Sequence, residues 1–81
     1  MNTQQLENLT GRIDGLAQAL LRLTAQLEMQ GYVDGPQLSQ AWQAARPEHL
    51  AVGPVLQASR CTLVQLAQEL DSARAHREHH Q

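Results

Sequence analysis

The sequence predicts an all-α protein, an antiparallel helical hairpin of two long helices joined by a short third helix. Leu, Ala and Gln are abundant and β-branched residues are sparse, a composition that favours helices over strands. Two long stretches place apolar residues at alternating spacings of three and four, the a/d pattern of helices that pack along a seam. A segment rich in glycine and proline separates these stretches and indicates a chain reversal.

The first long helix is predicted over about residues 3–30. Asn2 and Gln5 have the spacing of a capping box at its start, and Gly31 is a typical residue to follow its last turn. We call its apolar a/d row the α1 seam. Because a helix with such a row is stable only when the row is covered, we expect the seam to pack on the second long helix and to form the core. The seam comprises Leu6, Leu9, Ile13, Leu16, Leu20, Leu23 and Leu27.

A narrower apolar row, the flanking stripe, lies beside the seam and recurs every fourth residue. It widens the apolar face beyond what one partner helix covers, so it is predicted to meet another chain. The flanking stripe comprises Ala17, Leu21, Ala25 and Met29.

A short amphipathic helix is predicted over residues 36–45. Asp34 is a helix-start signal and Pro36 suits the first turn. Trp42 is expected to close the open end of the hairpin. Trp42 and Tyr32 are also the two side chains with the area of an interface hot spot, so both roles stay open for them.

The second long helix is predicted over residues 54–77, with Pro54 either starting it or kinking it. Val64 and Ala67 widen its apolar row as the flanking stripe widens the seam. Residues 1–77 then form one helical domain and residues 78–81 a flexible tail. The row consists of Val52, Leu56, Ser59, Leu63, Leu66, Leu70 and Ala73.

No residue pattern indicates catalysis, a cofactor or a small-molecule substrate, so the chain is not expected to be an enzyme. Cys61 lies within a predicted helix, without a glycine-rich turn that would build an oxyanion site. His76 and His80 have the spacing of two ligands on one helical face, but no second cysteine and no HExxH motif accompany them. No metal site is therefore predicted.

Charge and hydropathy favour a cytoplasmic protein. The net charge is −2, without the basic patch that nucleic-acid binding requires. No apolar run reaches the ~18 residues of a membrane span, and the polar residues after Met1 do not resemble a secretory signal. The single cysteine fits a reducing compartment.

These observations predict a small non-catalytic protein–protein interaction module, an adaptor, chaperone or inhibitor of bacterial or phage type. Its partner would be a second copy, forming a four-helix-type bundle, or another protein. One alternative is a transcriptional regulator or nucleic-acid-associated protein, and another is a small metal-binding protein that uses its C-terminal histidines. The predicted partner-binding residues are Ala17, Leu21, Ala25, Met29, Tyr32, Trp42, Val64 and Ala67.

Overall fold

The computed structural model describes residues 1–79 and confirms the all-α class with three helices. Helix α1 spans Thr3–Met29, α2 spans Gly35–Ala44, and α3 spans Pro54–His79; a 3₁₀ turn, Glu48–Leu50, lies between α2 and α3. Helix α3 thus continues two residues past its predicted end. Residues 80 and 81 of the predicted tail lie outside the described residues.

Local sequence signals set the ends of α1 as predicted. The Asn2 side chain accepts a hydrogen bond from the Gln5 backbone at 2.8 Å, and the Gln5 side chain accepts one from the Asn2 backbone at 3.1 Å. At the other end, Tyr32 N–H bonds to Leu27 O and Gly31 N–H to Glu28 O. This Schellman motif requires the left-handed conformation that Gly31 adopts, with φ of 81°.

The starts of α2 and α3 also follow their sequence signals. The Asp34 carboxylate accepts a hydrogen bond from the Gln37 backbone at 3.0 Å and so caps α2. Gly53 has a φ of 88°, and Pro54 is the first residue of α3. Pro54 therefore starts this helix and does not kink it.

The two long helices run in the same direction, which differs from the expected antiparallel hairpin. Glu28 near the end of α1 pairs with Arg74 near the end of α3. Earlier in both helices, Asp14 and Gln65 line one groove. The neighbouring parts of α1 and α3 thus advance together along the two helices, as they do in parallel helices.

Helix α2 explains this difference because it lies beside α3 and runs against it. Ser39 contacts Ala67 and Asp71, whereas Arg46, after the end of α2, accepts a hydrogen bond from Arg60. With ten residues, α2 is about 15 Å long, enough to follow α3 over several turns. The chain reverses before α2 and again after it, so α3 regains the direction of α1.

The core is small and is built around the second half of α3. Leu70 and Ala67 are fully buried and Leu66 is nearly so, while Ser39 of α2 and Thr24 of α1 are the buried polar residues. Between residues 1 and 79, no helix has both the length and the hydropathy that crossing a membrane requires.

Candidate interaction surface

The α1 seam lies on the outside of the molecule, so its assignment to the core was wrong. Its first six residues are 43–73% exposed, with Leu16 at the upper limit, and Leu27 is half-buried. The exposed members form a continuous apolar row along α1: Leu6, Leu9, Ile13, Leu16, Leu20 and Leu23.

Helix α1 turns a different face towards the rest of the chain, about a quarter turn around its axis from the seam. Thr24 is 5% exposed and Glu28 is mostly buried, and both lie on this inner face. The Thr24 hydroxyl donates to Leu20 O at 2.8 Å, so its burial leaves no unsatisfied donor. The inner face of α1 therefore includes two polar residues, Thr24 and Glu28, and one Glu28 oxygen, Oε2, is buried there without a hydrogen-bond partner.

An ion-pair cluster fixes this rotation of α1. Glu28 Oε1 lies 2.5 Å from Arg74 Nε and 3.6 Å from an Arg77 nitrogen. The same Arg74 binds Asp71 at 3.0 Å. The hydrogen bond to Glu28 is the main cause that raises the pKa of Arg74 above its ordinary value. A charged carboxylate on α1 is thus anchored to the last turns of α3.

Glycine at position 35 leaves room for the Glu28 carboxylate. Gly35 is buried at the start of α2, and a Cβ atom there would overlap all three atoms of that carboxylate group. The absence of a side chain at Gly35 therefore lets α1, α2 and α3 meet around Glu28.

Ser39 holds α2 against α3 on the other side of this cluster. It is 1% exposed, and its hydroxyl lies 2.9 Å from Asp71 Oδ2 and 3.2 Å from Ala67 O. Its small side chain allows the two helices to approach closely, and its single hydroxyl proton has the Asp71 carboxylate and the Ala67 carbonyl as alternative acceptors on α3. The spacing of Asp71 and Arg74 predicts their ion pair, which is present at 3.0 Å. Sequence reasoning missed Glu28 and Ser39 and the contact of Arg74 with Glu28, because these partners are 28–46 residues apart in the sequence.

The predicted partner-binding residues are divided between the inside and the outside of the chain. Ala67 is fully buried within the chain and is not accessible to a partner in this structure. Met29 and Tyr32 are 52% and 75% exposed. The remaining members are half-buried: Ala17, Leu21, Ala25, Trp42 and Val64.

A second exposed apolar cluster lies at and before the start of α3. Leu50 and Val55 are 61% and 79% exposed, and Val52 and Leu56 are 76% and 37% exposed. Val52 and Leu56 belong to the apolar row of α3 that the sequence assigns to packing on α1. That row is buried only further along the helix, where α2 covers α3.

The e and g positions that flank the α1 seam are almost all uncharged. Seam positions carry only Leu and Ile, and Arg12 is the one charged residue among the e and g positions that flank them. Such a surface offers apolar area without charges that would dictate a partner of opposite sign. The flanking positions are Gln5, Thr10, Arg12, Ala17, Ala19, Thr24 and Gln26.

Two other candidate chemistries involve Cys61 and the histidines. Cys61 is exposed on α3. Among residues 1–79, no three His, Cys, Asp or Glu side chains come together in a group that could hold a metal ion. The predicted pair of His76 and His80 includes a residue outside the described part of the chain.

The chain has no significant match among protein-family models, curated proteins or solved structures.

Proposed function

We propose that this protein is a small non-catalytic protein–protein interaction module of the adaptor, chaperone or inhibitor type, and that its binding surface is the α1 seam. The observation that carries the proposal is the continuous row of six Leu and Ile side chains, each at least 43% exposed. Scattered apolar residues are normal on a protein surface, but a contiguous apolar patch is typical of an interaction site.

The proposed mechanism is recognition between helices. Residues at spacings of three and four on one helix present anchors that enter a groove or the holes of another helix. Binding would then occlude or present a helical surface on the partner. The proposed setting is the cytoplasm, where the exposed thiol of Cys61 stays reduced.

The proposed surface is the α1 seam and not the flanking stripe, because most of the flanking stripe is half-buried in the chain. Met29 and Tyr32 lie exposed near the C-terminal end of α1. Met29 is two residues after Leu27, on the side of the helix away from the seam, so it is not part of the proposed surface. A charged residue in place of the half-buried Leu21 would disturb the inner face of α1, so such a substitution cannot distinguish loss of binding from loss of folding.

Photo-crosslinking tests this function. A benzophenone side chain replaces Leu16 in the middle of the seam, and in a control protein it replaces Val55, which is similarly exposed on α3. We expect irradiation of cells to yield defined protein adducts from position 16, with a second copy or with another protein. The adducts should disappear when Leu9→Glu and Leu20→Glu are added.

Either of two results would reject the function. One is a position-16 probe that forms no protein adduct. The other is a set of adducts that is not specific to the seam. The control probe at position 55 would then give the same adducts, or the adducts would persist after Leu9→Glu and Leu20→Glu are added.

A further inference from the structure

We infer that the occupant of the α1 seam is the α1 seam of a second copy of this chain. This inference rests on the proposed function, because it names the partner of the same surface. Three independent observations support it: the surface area of the chain, the charges beside the seam, and the symmetry of the seam.

The single chain exposes more surface than a compact monomer of its mass. Its accessible surface is 6192 Å² at a mass of 9.0 kDa. Monomeric proteins of this mass expose about 4,900 Å², so the excess is about 1,300 Å². A standard stable interface buries about 800 Å² on each partner. The excess is therefore sufficient for the partner surface of a stable dimer.

The shape of the chain places much of this excess along α1. The radius of gyration is 14.7 Å, whereas a compact chain of this length has about 12 Å. The seam from Leu6 to Leu27 is about 32 Å long, and residues 1–16 are all exposed. Apart from the groove that Ile13 and Asp14 line with Gln65, the N-terminal half of α1 thus has little cover from its own chain.

The charges beside the seam permit self-association. Helices that select a different partner use complementary charges at the e and g positions, and like charges there oppose pairing with a copy. Arg12 is the one charge at these positions, so two seams can meet without a set of like charges facing each other. In either relative direction of the helices, the seam offers Leu and Ile to Leu and Ile.

The seam is also symmetric about Leu16, with three seam residues before it and three after it. A two-fold interface brings the same patch of both copies together. When the two seams align over their whole length, Leu16 therefore lies next to the Leu16 of the partner subunit. This holds whether the two α1 helices are parallel or antiparallel. Substitutions at this single position are a direct test of a second copy as the occupant.

Sedimentation equilibrium of the purified chain measures the assembly. We expect the wild-type protein at twice its 9.0-kDa chain mass, and Leu16→Glu and Leu16→Lys each at the mass of one chain. A mixture of Leu16→Glu with Leu16→Lys should return to twice the chain mass, because opposite charges then meet at the two-fold axis. Val55→Glu, which changes an equally exposed apolar residue on α3, should leave the dimer intact.

The mixture shows at the same time that both variants are folded. A wild-type chain that sediments as a monomer would overturn the inference. So would Leu16 variants that remain dimeric, a mixture that remains monomeric, or a Val55→Glu protein that dissociates. If the wild type is monomeric while the probe at position 16 captures another protein in cells, the second copy is rejected and the interaction function stands. If that probe also captures nothing, both fail.

Discussion

Glu28 and Arg74 join the last turn of α1 to the C-terminal part of α3, with 2.5 Å between the carboxylate oxygen and the guanidinium Nε. The two residues are 46 positions apart in the sequence. Their contact brings the same ends of the two long helices together, which is the parallel arrangement. It also turns the inner face of α1, which includes Thr24 and Glu28, towards the rest of the chain and leaves the α1 seam outside.

Removing the charge of Glu28 should destabilise the fold. Glu28→Gln removes the carboxylate that α1 gives to the partly buried Arg74 and leaves Arg74 paired with Asp71 of its own helix, so we expect the free energy of unfolding to fall by about 2 kcal/mol. Urea denaturation at a fixed protein concentration measures this change, because self-association adds a concentration-dependent term. Glu69→Gln is the control, since Glu69 accepts a 3.4 Å hydrogen bond from Gln65 within α3 alone. Equal losses in the two variants would contradict the anchoring role of Glu28.

Ser39 should tolerate loss of its hydroxyl better than an increase in its size. Ser39→Ala removes the hydrogen bond to Asp71 and should cost about 1 kcal/mol. Ser39→Leu forces α2 away from α3 and should cost about 3 kcal/mol. Ser72→Leu places the same side chain on an exposed position of α3 and should change stability little. Thermal unfolding compares the variants, and a Ser39→Leu protein as stable as Ser72→Leu would exclude close packing at Ser39.

Alanine should have opposite effects at different glycines of this chain. In Gly35→Ala the new Cβ displaces the Glu28 carboxylate from its pairing with Arg74, so we expect destabilisation. In Gly11→Ala and Gly15→Ala the new Cβ meets no atom within 4 Å. Each of these two should stabilise helix α1 by about 1 kcal/mol, because alanine restricts the unfolded chain and favours helix.

Helicity by circular dichroism and urea denaturation measure these alanine effects. The two glycines of α1 serve as matched controls for Gly35, since all three substitutions add the same methyl group within a helix. Stabilisation by Gly35→Ala would show that the Glu28 carboxylate moves without loss of its ion pair.

Amide hydrogen exchange should divide α1 into two parts. Residues 3–13 are exposed throughout, so their amides should exchange faster in dilute solution than those of α3 around Leu66 and Leu70. Protection of residues 3–13 should rise with protein concentration in the wild type and stay low in Leu16→Glu. Mass spectrometry of peptides measures both trends, and concentration-independent protection in the wild type would argue that the N-terminal half of α1 is stable without a partner.

Local signals in the sequence determined the helices and most of their ends. The capping box of Asn2 and Gln5, the left-handed Gly31 and the starting residues Asp34 and Pro54 act within a few residues of themselves. Their effect on the backbone can therefore be predicted from the sequence without knowledge of the fold. The spacing of the α1 seam likewise established one continuous apolar row on a long helix.

The tertiary structure alone decided the direction of α3 and the face that α1 turns inward. The spacing of apolar residues in the sequence determines which of them share one face of a helix. It does not determine which face packs on another helix of the same chain. That choice depends on the polar contacts of Glu28 with Arg74 and of Ser39 with Asp71, whose partners are distant in the sequence. The contact of Ser39 requires the chain reversal after α2, and the contact of Glu28 requires both reversals. The sequence therefore determined an apolar seam, and the tertiary structure left that seam exposed.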